Sequence, residues 1–183
     1  MKIIGICGPS GSGKSTVAEI FAQKLNAEIV HTDAFFKNQL PTMVSPEDGK
    51  EYPDWNSPES VRYGEVAAIL RDKKEKNEAE YLIVEGLLIF AIKEIRELLD
   101  IKIFVSAAPE TCLYRRIMRN TSLFGMSVQE VGEYYLKCAR HRERQYCLPY
   151  KKDADFVLEN ETDCTEEINN ISNRIKRNTC KFK

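Results

Sequence analysis

Residues 2–25 read KIIGICGPSGSGKSTVAEIFAQKL: the apolar run Ile3, Ile4, Ile6, Cys7 breaks into Gly8-Pro9-Ser10-Gly11-Ser12-Gly13-Lys14-Ser15 and passes directly into a helical pattern. The break has the spacing of a phosphate-binding loop, G-x-x-x-x-G-K-[ST]. Such a loop wraps a triphosphate with backbone N–H groups, which side chains would obstruct, and the following helix N-terminus adds donors and a favourable dipole. Gly8, Gly11 and Gly13 keep that backbone open, and Ser10, Ser12 and Thr16 complete the expected nucleotide-binding stretch. Lys14 is expected against the β- and γ-phosphates, and the Ser15 hydroxyl on the Mg²⁺ that accompanies them. The motif convinces only between a strand and a helix. Val17, Ile20, Phe21 and Leu25 supply the helix, falling on one face at i, i+3, i+4 and i+8.

Working outward, a chain of 183 residues is sized for one well-cored domain, so residues 1–183 are expected to form one. Hydrophobic residues at 43%, charged residues at 30% and a net charge of −1 describe an ordinary globular composition, with no bulk basic charge pointing to nucleic acid. No apolar run approaches the ~20 residues that span a bilayer, and no basic lead with a cleavable apolar segment opens the chain, so a cytoplasmic protein without membrane partners is expected. The cysteines at 7, 112, 138, 147, 164 and 180 form no C-x-x-C pair and are expected to be reduced thiols. With only His31 and His141 present, a histidine-centred hydrolase or zinc enzyme is disfavoured.

Residues 28–31 read as a second strand with Asp33 just past its C-terminal end, where ligands bind in open parallel sheets; the alternative is an acid that begins a turn. Residues 38–56, with Pro41, Pro46, Gly49 and Pro53, read as a long loop. Ser57, Pro58 and Glu59 then fit the N-cap, N1 and first turn of a helix continued by Val61, Val66, Ile69 and Leu70. Trp55, just ahead of it, fits a core residue as well as a ligand platform. After a mixed-charge run over residues 71–80, Tyr81-Leu82-Ile83-Val84-Glu85-Gly86 has the pattern of a buried parallel strand with a carboxylate at its tip, and Glu85 is a candidate for the metal side of the site.

Residues 87–99 read as a short amphipathic helix and 101–105 as a fourth strand. Pro109 and Glu110 open a further helix with Leu113 and Ile117 on its apolar side; Arg115, Arg116 and Arg119 on it are either solvated or aimed at a triphosphate. Residues 120–126 read as a break, and Ser127-x-x-Glu130 as a capping box that starts a long helix to about residue 146, whose Arg140, Arg142 and Arg144 fit a solvated face. Residues 154–158 are a fifth strand, Ile168, Ile171 and Ile175 mark a closing helix, and Lys176, Arg177, Lys181 and Lys183 form a basic tail. Strands and helices alternate throughout, which predicts an α/β fold of three layers around a parallel sheet.

The ordered set of Gly8 to Ser15, Thr32-Asp33-x-Phe35-Phe36-Lys37, Asp54-Trp55-x-x-Pro58-Glu59, Glu85-Gly86, Arg115-Arg116-x-x-Arg119 and Pro149-x-Lys151 leading into Ala154-Asp155-Phe156-Val157 resembles the uridine kinase and nicotinamide riboside kinase branch of the P-loop nucleoside kinases, over nearly the full chain. The resemblance implies a three-layer α/β/α P-loop fold with a five-stranded parallel sheet and ATP-dependent phosphorylation of a nucleoside 5′-hydroxyl, with Mg²⁺ held through Ser15 and Glu85. It casts Asp33 as general base, Arg116 against the ribose, Arg119 in a lid over the phosphates within about residues 115–130, and Trp55 beside the substrate base. Phe36, Asp54 and Asn56 join them as expected substrate contacts. Two departures stand out: Asn56 replaces an aspartate that binds the ribose hydroxyls, and residues 120–126 lack the charges usual in the lid. Phosphorylation of another small metabolite, such as pantothenate or a sugar acid, and an ATP-binding switch without an acceptor are the competing readings; a guanine-specific switch is disfavoured because no N-K-x-D segment occurs.

Overall fold

Five parallel strands and the helices between them account for most of the chain. The structure, a computed structural model, describes residues 1–180, so Lys181 and Lys183 of the predicted basic tail lie outside the described residues. In chain order the first elements are β1 (Lys2–Cys7), α1 (Lys14–Leu25), β2 (Glu28–His31), a 3₁₀ turn (Thr32–Phe35), β3 (Thr42–Val44), β4 (Glu51–Pro53), α2 (Tyr63–Lys76) and β5 (Tyr81–Gly86). They are followed by α3 (Lys93–Arg96), β6 (Ile101–Ser106), α4 (Pro109–Phe124), α5 (Val128–Tyr134), a π-helical turn (Tyr135–Ala139), α6 (Arg140–Tyr146), a 3₁₀ segment (Leu148–Asp153), β7 (Phe156–Glu159) and α7 (Thr165–Cys180).

The sheet order is β2-β5-β1-β6-β7, all parallel, as the alternation of patterns predicts. Its central strands β1 and β5 are apolar almost throughout because both faces are covered. Ile3, Leu82, Val84 and Phe104 pack on one side with Val66 and Leu70 of α2 and Ile95 of α3. Ile4, Ile6, Ile83 and Val105 pack on the other with Val17 and Phe21 of α1 and Ile168 and Ile175 of α7. The chain runs from β1 outward to one edge and later returns to build the other, so the topological switch falls at the carboxyl end of β1, where the phosphate-binding loop begins. Among the described residues no helix is long and apolar enough to cross a membrane, and five cysteines are free thiols, four of them buried.

Several local expectations are corrected. The loop predicted over residues 38–56 contains an antiparallel hairpin, β3 with β4, whose strands are too short to show a period. The helix expected from Ser57 begins six residues later, at Tyr63. Ser57 Oγ does accept a local bond, from the Glu59 N–H, but the chain is diverted into a bridge between Phe36 and Val61, and the Lys37 and Arg62 N–H groups pair with Ser60 O and Phe35 O. Residues 87–99 form turns and only a four-residue helix. In the predicted break, residues 120–124 continue α4, which ends on Gly125 in the left-handed conformation. The buried face of α4 is Cys112, Arg116 and Asn120, while Leu113 and Ile117 are half-buried, because the helix packs on the phosphate-binding loop. The capping box at Ser127 and Glu130 forms with both reciprocal bonds. The long helix it opens is broken by the π-turn, and its arginines are not a uniformly solvated face: Arg140 pairs with Glu47 and Arg142 with the buried Asp54. The last strand lies one to two residues beyond the predicted 154–158.

Candidate active site

The loop after β1 has the backbone its glycines demand. Gly11 and Gly13 sit at φ +89° and +88°, a region L side chains rarely adopt, and a Cβ at Gly11 would run into the Cys112 carbonyl of α4. Asn160, just past β7, donates from Nδ2 to the Ser12 carbonyl at 2.8 Å and braces the loop from behind. Gly13 is the N-cap of α1 and offers no side-chain acceptor, so the first-turn N–H groups of that helix face outward unpaired by a cap. An oxyanion is the partner such a terminus takes. Lys14 is buried at 7% exposure in the mouth of the loop, whereas Ser15 and Thr16 lie exposed at the start of the helix.

Beside the loop, β5 delivers Glu85 at its tip, 2% exposed. Glu85 Oε1 accepts from Ser15 Oγ at 3.3 Å and from His31 Nδ1 at 2.9 Å, and Oε2 is buried without a partner among the described residues. A buried carboxylate oxygen with nothing to bind, next to a serine hydroxyl, fits a hard divalent cation. Among the described residues no group of three or more His, Cys, Asp or Glu converges to hold a metal. One carboxylate and one hydroxyl suit Mg²⁺, which keeps waters and takes phosphate oxygens for the remaining positions. Sequence reasoning passed over His31, whose only signal was its place next to Thr32-Asp33.

The loop opens into a cavity of about 700 Å³. Ser10, Lys14, Asp33, Arg116 and Arg119 line its polar end, with Asp33 exposed at the end of β2. Phe36, Trp55, Tyr63, Phe124 and Tyr134 line the rest, together with Asn56. Trp55 is 49% exposed, which sets aside the core reading for it, and its ring meets Phe36 edge to face at 5.3 Å and 77°. Asn56 is buried, with Oδ1 lying 3.5 Å from the Tyr134 hydroxyl. Asp54 does not line the cavity. It is fully buried, its Oδ1 accepting from the Asn56 N–H at 3.1 Å and its Oδ2 from Arg142 Nε at 2.6 Å.

The three arginines of α4 part company. Arg115 turns away and donates to the Asn160 carbonyl at 2.8 Å. Arg119 reaches Ser10 Oγ at 3.3 Å. Arg116 is buried at 7% exposure, with Nε and Nη1 lacking partners among the described residues, its guanidinium 5.4 Å from the Tyr134 ring centre. Burial pushes its pKa below the usual arginine value. Nearby, burial raises the pKa of Glu143, which Arg116 and Lys14 partly counter and whose Oε1 accepts from the Ser10 N–H at 3.2 Å. Neither Tyr134 nor Glu143 was singled out from sequence, where each is one polar position in a long helix.

A nucleotide-binding loop, a carboxylate and hydroxyl suited to a cation, and a cavity with one exposed acid among basic groups define a P-loop phosphotransferase acting on a hydroxyl group. The model of the phosphoribulokinase / uridine kinase family matches residues 50–165, and that of the AAA domain residues 3–84. The uridine kinase of Clostridium tetani (strain Massachusetts / E88) is 30% identical over 181 residues, covering 85% of each chain. Uridine-cytidine kinase A of Dictyostelium discoideum is 28% identical over 95% of this chain, which spans 39% of that protein. Among solved structures, TT1252 from Thermus thermophilus shares the fold with a TM-score of 0.58 at 24% identity, covering 100% of this chain and 98% of that one. The chain belongs to the phosphoribulokinase / uridine kinase family.

Proposed function

We propose that the protein transfers the γ-phosphoryl group of ATP to the 5′-hydroxyl of a nucleoside, with uridine, cytidine and nicotinamide riboside as the acceptors to test. The observation that carries this reading is the position of Asp33, the exposed acid at the tip of β2, in one cavity with Lys14, Arg116 and the Phe36–Trp55 aromatic pair. Asp33 takes the proton of the acceptor hydroxyl as its oxygen attacks the γ-phosphorus and the bond to the β-phosphate bridging oxygen breaks, releasing ADP. Phosphoryl transfer asks the protein for positioning and charge neutralisation rather than covalent chemistry. Lys14, the loop N–H groups and Arg119 serve the phosphates, Arg116 the ribose, and Trp55 the base. Mg²⁺, held through Ser15 and Glu85, adds neutralisation of the phosphate oxygens when bound.

Supporting this reading over a nucleotide switch is the cavity itself, since a switch that orders loops around a γ-phosphate has no need of an aromatic-lined chamber beyond it. Asn56 favours keeping a second acceptor class in the test, because an amide where the family carries a carboxylate also suits an acceptor that presents an oxygen rather than a hydroxyl proton. The experiment is ADP release measured with each nucleoside in turn, with pantothenate and a sugar acid as the other arm. Turnover stimulated by one nucleoside is expected; stimulation by none of the three overturns the nucleoside assignment.

A further inference from the structure

The segment over residues 47–56, which carries Trp55 and Asn56, has little apolar anchorage of its own: among the described residues β3 and β4 pair only with each other. It is held instead by side chains of the helix over residues 128–146. The Tyr134 hydroxyl accepts from the Trp55 N–H at 3.1 Å and lies 3.1 Å from the Pro53 carbonyl. Lys137 pairs with Asp48 at 3.3 Å, Arg140 with Glu47 at 2.6 Å, and Arg142 with the buried Asp54 at 2.6 Å. The last of these differs in kind from the rest, because Asp54 is fully buried and its other oxygen fixes the Asn56 N–H at 3.1 Å. Ser60 Oγ also bonds the Asp54 carbonyl.

Helix geometry says why Tyr134 and Arg142 reach the same segment. In an unbroken α-helix, residue 142 would sit about 80° around the axis from residue 134, at roughly 100° per residue. The π-turn at Tyr135–Ala139 inserts one residue and takes back about 100°, leaving the two positions within roughly 20° of each other. Tyr134 and Arg142 are thereby stacked along one line, two turns apart, each bonded to the acceptor-facing segment.

We infer that the π-turn and the Arg142–Asp54 pair make this helix a clamp that positions Trp55 and Asn56, so that Arg142 and Asp54 determine acceptor affinity without touching the acceptor. The inference takes only the identity of the acceptor from the nucleoside-kinase reading. A positioning role differs from a purely structural one in what it moves. Losing the Arg142–Asp54 pair frees Trp55 and Asn56, while the phosphate-binding loop keeps its own braces, Asn160 on the Ser12 carbonyl, α4 against Gly11 and Glu143 on the Ser10 N–H.

The test uses the double variant Asp54→Asn/Arg142→Met, which removes both charges and avoids leaving one buried and unpaired. Acceptor KM should rise about fivefold or more while KM for ATP stays within about twofold. Acrylamide quenching of Trp55, the only tryptophan of the chain, should increase in the same variant. Arg142→Lys, which keeps the charge opposite Asp54, should lie between the double variant and wild type on both readouts. Unchanged acceptor KM with unchanged quenching overturns the inference, as does a parallel rise of both KM values with a lower Tm, the mark of a merely structural pair. Should no nucleoside be turned over, the quenching alone decides: an increase supports the clamp, and no change overturns it.

Discussion

Replacing Arg116 by methionine should make the ligand-free protein slightly more stable and far less active. Two nitrogens of this guanidinium, Nε and Nη1, are buried without partners among the described residues. An unsatisfied buried polar group costs about 1–3 kcal/mol, so the pair costs at least about 2 kcal/mol in the ligand-free fold. Against this stand the contact with the Tyr134 ring, about 1 kcal/mol for a cation over an aromatic face, and a screened attraction to Glu143. Methionine keeps the apolar stem and removes the orphaned donors, so the balance favours the variant by roughly 1 kcal/mol, a rise in Tm of about 2–4 °C for a chain of this size. Activity should move the other way. Hydrogen bonds from a charged group contribute about 1.5–3 kcal/mol, so kcat/KM should fall roughly 10- to 150-fold. Thermal melts of the ligand-free protein and steady-state kinetics on the same preparations read both effects. Because the substitution leaves Glu143 with Lys14 and the Ser10 N–H as its remaining partners, Arg116→Met/Glu143→Gln is the control for an unbalanced carboxylate. A variant that melts several degrees lower and keeps wild-type kcat/KM refutes the reasoning, since Arg116 would then be holding the fold rather than awaiting a ligand.

Three further outcomes are expected. Asp33→Asn, nearly isosteric and at an exposed position, should lower kcat by about 10²–10⁴ with ATP affinity little changed, as loss of a general base does; an unaltered kcat removes Asp33 from the chemistry. Adding the correct nucleoside should shift the fluorescence of Trp55, and Trp55→Ala should raise acceptor KM with little loss of Tm, because the side chain is half exposed; a large drop in Tm at constant KM would return it to the core. Asn56→Asp should tighten KM for an ordinary ribonucleoside by about fivefold, since a carboxylate accepts from two vicinal hydroxyls where an amide offers one acceptor atom. Asp54, sealed against Arg142, is not available to take over that contact, and a weakened KM for both uridine and nicotinamide riboside would sink the ribonucleoside assignment.

The amino-acid sequence by itself determined the parts of this protein that depend on neighbours along the chain. The phosphate-binding loop, the five parallel strands, the helix face of Val17 and Phe21 and the capping box at Ser127 are all written in local spacing, and each formed, the last strand shifted by one to two residues. So was Glu85, the acid that closes a buried apolar run, and so was the place of Asp33, two residues past the short run of β2. Tertiary structure alone decided which polar side chains face inward. Arg116 and Asn120 are buried on α4 because that face turns to the phosphate-binding loop at Cys112 and to Tyr134 and Met126 further along rather than to the apolar core, so its apolar stripe at Leu113 and Ile117 was a misleading guide. Asp54 and Arg142 are 88 residues apart, and no local pattern can show that one is sealed beneath the other. The late start of α2 has the same cause: Ser57 carries a good local cap signal, but residues 57–60 close only a turn and the bridge between Phe36 and Val61 delays the helix until Tyr63. Local propensity is worth tenths of a kcal/mol to about 1 kcal/mol per position, and long-range packing outweighs it wherever the two disagree.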